Sequence, residues 1–188
     1  MKRPENLDLT NELSIVAPLV EPICQTQSQK PLVEPLTHQR TKIYLHPGQL
    51  HATAEGCVVT TILGSCVAVC LCDRHAQVGG INHFLLPVSG KAELNSHRFG
   101  DVAVTELIAK VISLGADLKR LQAKLFGGAN VIEAFRDREN HLGTQNVRLA
   151  RALLESAGLP VISEDVGGRR GRKLIFQTDN GAAWVKEL

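Results

Sequence analysis

The sequence predicts an α+β fold rather than a regularly alternating α/β fold. Segments of strand character dominate both ends of the folded region, and two helical segments do not alternate strictly with them. The chain has 188 residues, 44% of them hydrophobic, so its length favours one domain with one sizeable core. That core is expected to begin after a change in composition near Thr41.

Residues 1–40 differ in composition from the remainder of the chain. They contain five of the eight prolines, no glycine and no aromatic residue, and they show neither helical nor strand periodicity. Such a segment buries too little apolar surface to offset the entropy of ordering. We therefore predict a flexible N-terminal tail over residues 1–40 and one folded domain over residues 41–188. The alternative is that residues 13–20 dock as a short apolar segment.

The first half of the folded domain is predicted to consist of strands. Apolar segments of strand length lie near Ile43, over residues 58–62, in the fully apolar run 67–71, and over residues 78–86. After the helical region, further strands are expected over residues 121–127, 161–164, 173–178 and 182–186. The last two are expected to form a hairpin through the turn at residues 179–181.

Two helices are predicted between these groups of strands. Residues 101–114 show an apolar stripe with helical spacing, and Gly115 is expected to end that helix. A second helix is expected to begin at Thr144 as its N-cap and to end near Gly158.

The charge balance is nearly neutral. The 21 Lys and Arg against 19 Asp and Glu give a net charge of +2, which favours neither a nucleic-acid-binding protein nor a membrane-surface protein. No apolar run reaches the roughly 18 residues that span a bilayer. The short run 14–20 is broken by Pro18 and preceded by acidic residues, unlike a signal peptide. The sequence therefore predicts a cytoplasmic protein without membrane insertion.

The cysteines indicate reduced thiols rather than a disulfide scaffold. There are five, an odd number, and they are Cys24, Cys57, Cys66, Cys70 and Cys72. A zinc site is the alternative for the last three. If residues 66–72 are extended, however, Cys66 and Cys70 lie about 13 Å apart, which is too far for both to bind one tetrahedral ion.

Cys66 is the candidate nucleophile, and His83 is its candidate base. Cys66 follows the Gly64-Ser65 turn, and a neighbouring imidazole or a cluster of backbone N–H groups would lower the pKa of its thiol. Gly64 permits close approach of the backbone to a substrate. His83 lies in an apolar strand that favours the neutral imidazole a general base requires. The alternative is that both are core residues, as we expect for the remaining cysteines of the folded domain.

A hydroxyl on the preceding strand could orient the imidazole. Thr60 and Thr61 are adjacent, and neighbouring side chains of a strand face opposite sides, so only one of them can reach His83. The residues alone leave the choice between Thr60 and Thr61 open, and Ser65 is a further alternative. A hydroxyl in this segment that does not reach His83 would most simply bond to local backbone.

Several separate motifs occur along the folded domain, at residues 63–70, 79–83 with Pro87, 123–130, 142–146, 164–168 and 171–173. Taken together, in this order and spacing, they resemble the motifs of the CheD family, the chemoreceptor glutamine deamidases of bacterial chemotaxis. The resemblance runs from about Tyr44 to the C-terminus.

The resemblance implies a cysteine-dependent hydrolase, a protein-glutamine glutaminase that converts receptor Gln side chains to Glu with release of ammonia. It assigns Cys66 as nucleophile and His83 as base, and the family's spacing selects Thr60 as the orienting hydroxyl. The implied fold is a layered α/β sandwich of mixed sheets with helices on one side, similar to the catalytic domain of cytotoxic necrotizing factor. No metal or organic cofactor is implied.

The resemblance also implies partners and residues that contact them. The expected substrates are methyl-accepting chemoreceptors, through their cytoplasmic helices, and a CheC phosphatase is a further expected partner; no nucleic acid is expected. The candidate substrate- or partner-binding residues are Gly64, Ser65, Asn82, Phe126, Arg172 and Lys173. The basic segment 167–173 is expected either to steer acidic receptor helices or to form a solvated turn.

Two other functions fit the same residues. One is another Cys-His acyl-transfer enzyme, such as a peptidase or a transglutaminase. The other is a binding module without catalytic activity.

Overall fold

The computed structural model describes residues 40–89, 96–131 and 140–188. The predicted tail, residues 1–40, therefore lies outside the described residues except for Arg40. The described residues form nine strands and two helices, arranged as a four-stranded sheet, a five-stranded sheet and a helical layer. None of the helices in these residues is long and apolar enough to cross a membrane.

The first sheet has the strand order β1-β3-β8-β9. Its strands are β1 (Thr41–Tyr44), β3 (Cys57–Leu63), β8 (Arg172–Gln177) and β9 (Ala183–Glu187). The pair β1 and β3 is parallel, and the other pairs are antiparallel, so the sheet is mixed. The predicted hairpin near the C-terminus is confirmed, since β8 pairs antiparallel with β9.

The second sheet has the strand order β2-β5-β4-β6-β7 and is also mixed. Its strands are β2 (Gln49–Thr53), β5 (Val78–His83), β4 (Val67–Asp73), β6 (Gln122–Gly127) and β7 (Val161–Val166). Only β6 and β7 pair in parallel. Strand β4 is buried along its entire length because both of its faces are covered.

Both helices pack on the second sheet. They are α1 (Gly100–Ser113) and α2 (Leu142–Ser156). Gly115 follows α1 with φ +105°, as expected for a helix-ending glycine. The predicted N-cap of α2 is wrong: His141 caps this helix by accepting a hydrogen bond from the Thr144 backbone N–H, which places Thr144 within the first turn.

The second sheet separates two apolar cores. Along β4, Val67, Val69 and Leu71 belong to the core between this sheet and the helices. The intervening Ala68, Cys70 and Cys72 belong to the core between the two sheets, because side chains alternate along a strand. Cys57 also lies in this inter-sheet core. The prediction that Cys57, Cys70 and Cys72 are core residues is therefore confirmed.

The predicted α+β class is confirmed, with two mixed sheets and the helices on one side. Strand β2 was not predicted. Its sequence, Gln-Leu-His-Ala-Thr, contains one β-branched residue and no long apolar run, so its extended conformation depends on pairing with β5.

Candidate active site

Cys66 and His83 lie on the same face of the second sheet. Val67 pairs with Phe84 in the antiparallel register of β4 and β5. The same register places His83 opposite Ala68, and Cys66 two residues before Ala68, diagonal to His83. Diagonal neighbours on one face of a sheet are roughly 7 to 8 Å apart or less, within reach of long side chains. The fold thus brings together the two residues that the sequence singled out.

This shared face is the one that packs against the first sheet. Ala68 and Ile81 belong to the inter-sheet core, and the half-buried Cys66 packs against it. His83 is almost fully buried, with 1% of its surface exposed. The candidate nucleophile therefore lies where the inter-sheet core approaches the surface, and the imidazole is buried more deeply than the thiol.

Thr61 is the hydroxyl that contacts His83. Its Oγ1 lies 2.8 Å from His83 Nδ1 and also donates its hydrogen to the carbonyl of Leu45, again over 2.8 Å. A threonine hydroxyl has one hydrogen, so Oγ1 must accept the proton of Nδ1. The imidazole is therefore protonated at Nδ1, and Nε2 keeps its lone pair. Nε2 is buried and has no partner among the residues that the structure describes.

The assignment of Thr60 as the orienting hydroxyl is wrong. Residues 57, 59, 61 and 63 of β3 are buried, whereas Val58 and Thr60 are half-buried and Ile62 is exposed. Thr60 thus lies on the outer face of the first sheet, while Thr61 faces the inter-sheet core and His83. The alternation of side chains along the strand decides between the two hydroxyls.

Burial keeps both candidate catalytic groups neutral. It lowers the pKa of His83 to about 4, an effect reinforced by His46 and opposed by a hydrogen bond with the Leu45 carbonyl. Burial also raises the pKa of the Cys66 thiol above its usual value, although the residue's own backbone N–H opposes this. The expected neutral imidazole is present, but the expected lowering of the thiol pKa is not. In the resting protein the two groups are therefore a thiol and a neutral imidazole.

Hydrogen bonds to three successive carbonyls hold the turn that carries Cys66. The Gly64 carbonyl accepts from the Ala129 N–H at 2.8 Å, and the Cys66 carbonyl accepts from the Gly128 N–H at 2.8 Å. Between them, the Ser65 carbonyl accepts from Asn146 Nδ2 at 3.0 Å. Every peptide group of this turn therefore has a fixed orientation.

Glycines allow the supporting segments to approach this turn. A Cβ on Gly127, whose φ is +105°, would lie 2.2 Å from the Cys66 carbonyl oxygen. A Cβ on Gly143, in the first turn of α2, would lie 2.3 Å from the Gly128 carbonyl oxygen. Both distances are well inside van der Waals contact, so these backbones pack this closely only without a side chain.

Sequence reasoning offered Thr61 only as the alternative to Thr60, and it missed the roles of Leu45, Gly128 and Asn146 in this arrangement. The last two lie in segments that supported the family resemblance, but the pattern alone did not show what they contact. The role of the Leu45 carbonyl carries no side-chain signal, because any residue supplies that group.

Two of the candidate substrate-binding residues lie beside Cys66, and two do not. Gly64 and Ser65 are half-buried and immediately precede it. Asn82 is fully buried on the opposite face of β5, where its Oδ1 accepts from the Val69 N–H at 2.9 Å. Phe126 is buried in the inter-sheet core. The prediction that Asn82 and Phe126 contact a substrate is therefore wrong, because packing removes both from the surface.

Arg172 and Lys173 also differ in their exposure to solvent. Arg172 is only 4% exposed, and its guanidinium donates to the carbonyls of Asp165 and Gly167 and to the Asp165 carboxylate. It braces the segment between β7 and β8 and is not available to a partner, which corrects its prediction. Lys173 is exposed on the outer face of the first sheet.

No group of three or more possible metal-binding side chains occurs in residues 40–89, 96–131 and 140–188. Cys70 and Cys72, which suggested zinc as an alternative, instead contribute to the inter-sheet core.

Comparison with known proteins identifies the family. The model of the family described as CheD chemotactic sensory transduction matches residues 85–187. A protein of Anaeromyxobacter dehalogenans, named probable chemoreceptor glutamine deamidase CheD 1, is 56% identical over 149 residues, covering 79% of this chain and 86% of the relative. Proteins with the corresponding CheD name from Trichlorobacter lovleyi and Rhodospirillum rubrum are 42% and 40% identical, covering 74% and 81% of this chain and 86% of each relative.

Among solved structures, a Neisseria meningitidis protein of the DUF152 family has a TM-score of 0.43 at 13% identity, covering 72% of this chain and 74% of its own. The family model spans more than half of the sequence, and the Anaeromyxobacter relative is similar along most of its length. This chain therefore belongs to the CheD family.

Proposed function

We propose that this protein is a chemoreceptor glutamine deamidase that hydrolyses receptor Gln side chains to Glu and releases ammonia. The names of its relatives support this substrate class. The observation that carries the chemistry is the state of His83: Thr61 holds the proton on Nδ1, and Nε2 is left as a free base on the face shared with Cys66.

In the first half of the reaction, a thioester forms. His83 Nε2 takes the Sγ proton as sulfur attacks the carboxamide carbon of the substrate glutamine, and the carbonyl oxygen becomes an oxyanion. Because the thiol pKa is raised and the imidazole pKa is lowered, proton transfer accompanies the attack rather than preceding it. When the oxyanion collapses, His83 returns this proton to the nitrogen, and ammonia leaves.

In the second half, water hydrolyses the thioester. His83 Nε2 takes one proton of the water while its oxygen attacks the thioester carbon. Collapse of the second oxyanion breaks the C–S bond, the thiolate regains its proton from His83, and the product is a glutamate side chain. The Nδ1 proton stays on His83 throughout, hydrogen-bonded to Thr61.

Backbone N–H groups of the Cys66 turn would stabilise the oxyanion. In a trans peptide the N–H points opposite to the C=O of the preceding residue, and no described peptide bond is cis. Because the Gly64 and Ser65 carbonyls are held by Ala129 and Asn146, the N–H groups of Ser65 and Cys66 point away from these supports. Two such donors make a suitable oxyanion hole.

Further parts of the proposal follow from the family. The substrates would be the cytoplasmic helices of methyl-accepting chemoreceptors, the site of action would be the cytoplasm, and a CheC phosphatase would be an additional partner. The reaction as derived requires neither a metal nor an organic cofactor. A structural similarity to the catalytic domain of cytotoxic necrotizing factor remains a prediction.

The decisive experiment is incubation with a receptor cytoplasmic fragment, followed by peptide mapping. Deamidation adds about one dalton to a Gln-containing peptide without cleavage, because an amide is replaced by an acid through the thioester. The Cys66→Ser variant should give no mass change. The matched control is Cys70→Ala, which removes a thiol from the inter-sheet core and should retain activity. Cleaved peptides would indicate a peptidase, and cross-links to amines would indicate a transglutaminase.

A further inference from the structure

Asn146 connects the backbone segments that carry the two reactive residues. It lies on α2 and is fully buried. Its Nδ2 donates to the carbonyl of Ser65 over 3.0 Å and to the carbonyl of Leu85 over 2.8 Å. Ser65 immediately precedes Cys66, and Leu85 is two residues after His83. One side-chain amide thus bridges both segments where the pairing of β4 with β5 has ended.

The contacts require the amide nitrogen rather than the oxygen. Both neighbouring groups are carbonyl oxygens, which only accept, so the NH₂ group must face them. Asn146 Oδ1 is buried and has no partner among the described residues. A purely structural asparagine would be expected to satisfy its oxygen as well, because an unpaired buried acceptor is destabilising. The side chain is therefore placed for its two donor hydrogens.

The bond to Ser65 determines the direction of the next N–H group. The Ser65 carbonyl and the Cys66 N–H belong to one trans peptide unit and point in opposite directions. Asn146 directs the carbonyl towards α2, so the N–H points towards the side of the turn that carries the Cys66 sulfur. The influence of this N–H on the pKa of its own thiol agrees with that placement.

We propose that Asn146 is a positioning residue for acyl transfer at Cys66, holding the Ser65-Cys66 peptide so that the Cys66 N–H stabilises the oxyanion. This inference deepens the proposed function and rests on it. Without the bond from Asn146 to the Ser65 carbonyl, this peptide loses that support, and the donor is no longer held in place before the reaction begins.

The test replaces Asn146 by Asp and by Leu. Asp is nearly isosteric but presents carboxylate oxygens to two carbonyl oxygens, whereas Leu removes the donors without adding charge. The matched control is Gln145→Glu, which makes the same amide-to-acid change at the exposed neighbouring position of α2. Each variant is assayed for deamidation of a receptor cytoplasmic fragment and for the rate of Cys66 alkylation by iodoacetamide.

The two assays separate oxyanion stabilisation from thiol reactivity. Alkylation displaces iodide from a saturated carbon and forms no oxyanion, so it does not need the Cys66 N–H. We expect kcat for deamidation to fall by about 10²- to 10³-fold in both Asn146 variants, as for the loss of one oxyanion-hole donor. KM and the alkylation rate should stay within about two-fold of wild type, since neither depends on oxyanion binding. Gln145→Glu should match wild type in all three quantities.

Several outcomes would overturn the inference. Wild-type kcat in both Asn146 variants would do so, and so would alkylation that slows in parallel with deamidation, because the turn would then be generally displaced. Loss of the cooperative melting transition in both variants would show that Asn146 is required for folding instead. If the wild-type protein fails to deamidate the fragment, the proposed function is wrong, and this inference is wrong with it. That outcome is distinguishable from the others, in which the wild-type protein is active.

Discussion

The Thr61 hydroxyl donates to the Leu45 carbonyl, and this single contact fixes the tautomer of His83. Since the only hydroxyl hydrogen is already used, the imidazole must supply the hydrogen for the second bond. A backbone carbonyl next to β1 therefore determines that Nε2 is the basic nitrogen of His83. The hydrogen bond between Thr61 and His83 resembles that of an Asp-His pair, but Thr61 carries no charge.

The Thr61→Val variant should lose about 10-fold or more in kcat, because His83 would no longer be held in one tautomer and orientation and general-base catalysis contributes about 10²- to 10⁴-fold. Thr60→Val is the matched control, since this hydroxyl lies on the outer face of the same strand. Rates on one receptor fragment would test the pair. Equal losses in the two variants, or a loss in Thr60→Val alone, would contradict the role assigned to Thr61.

The alkylation rate of Cys66 in the free enzyme should keep rising through pH 9. Burial raises the pKa of this thiol, so the thiolate fraction grows throughout the neutral range. Iodoacetamide kinetics followed by peptide mapping would measure this rate separately from the buried cysteines. His83→Gln should leave the profile nearly unchanged, because a neutral imidazole stabilises no thiolate. A plateau between pH 5 and 7 that disappears in His83→Gln would instead show a thiolate–imidazolium pair.

Acid should destabilise the wild-type protein more than the His83→Gln variant. The unfolded chain binds a proton at this histidine near pH 6.5, whereas the native imidazole has a pKa of about 4. Protons therefore favour the unfolded state between these values, and the free energy of unfolding falls as the pH falls. Between pH 7 and 5 the wild type should lose about 2 kcal/mol more than the variant.

Urea denaturation at both pH values would measure this difference. His51, whose pKa is also lowered by burial, is present in both proteins, so its contribution cancels. An equal loss in wild type and variant would mean that His83 titrates normally in the native protein.

Neutralising Arg169, Arg170 and Lys173 together should lower kcat/KM at low salt by roughly ten-fold, because exposed charges accelerate association with an acidic partner. All three side chains are exposed. The kcat value should change little, and added salt should slow the variant less than the wild type. Steady-state kinetics on a receptor fragment over a range of salt concentrations would test this.

Arg172 provides the contrasting variant. Arg172→Gln removes bonds to the segment between β7 and β8, so it should lower the melting temperature, which the triple variant should not. An unchanged salt dependence in the triple variant would eliminate steering, and a large drop in its melting temperature would assign these charges to the fold.

The sequence was sufficient to predict most elements, since apolar periodicity and the glycine stops are local signals. The choice between Thr60 and Thr61 was not local. One face of β3 carries Cys57, Val59 and Leu63, and the other carries Val58 and Ile62. The apolar pattern of the sequence does not distinguish these two faces. Only the packing of the second sheet shows which face is covered. The preference for Thr60 came from family spacing, and tertiary structure overrides it.

Burial of polar residues was equally invisible in the sequence. Asn82 and Arg172 were expected to contact partners because they lie in the motifs that carry the family resemblance. Each instead satisfies backbone groups inside the fold, the Val69 N–H in one case and the Asp165 and Gly167 carbonyls in the other. Such roles depend on which backbone groups lack partners, and this is known only once the sheets have formed.

The supports of the Cys66 turn are all encoded far downstream of it. Ser65 and Asn146 are separated by 81 positions in the chain. A ribosome adds about 5 to 20 residues per second, so several seconds pass between synthesis of the cysteine and synthesis of its last support. Throughout that interval the nascent chain holds an ordinary, unbraced thiol. Under the proposed mechanism, the oxyanion hole at this turn therefore forms only when the second half of the domain has emerged and folded.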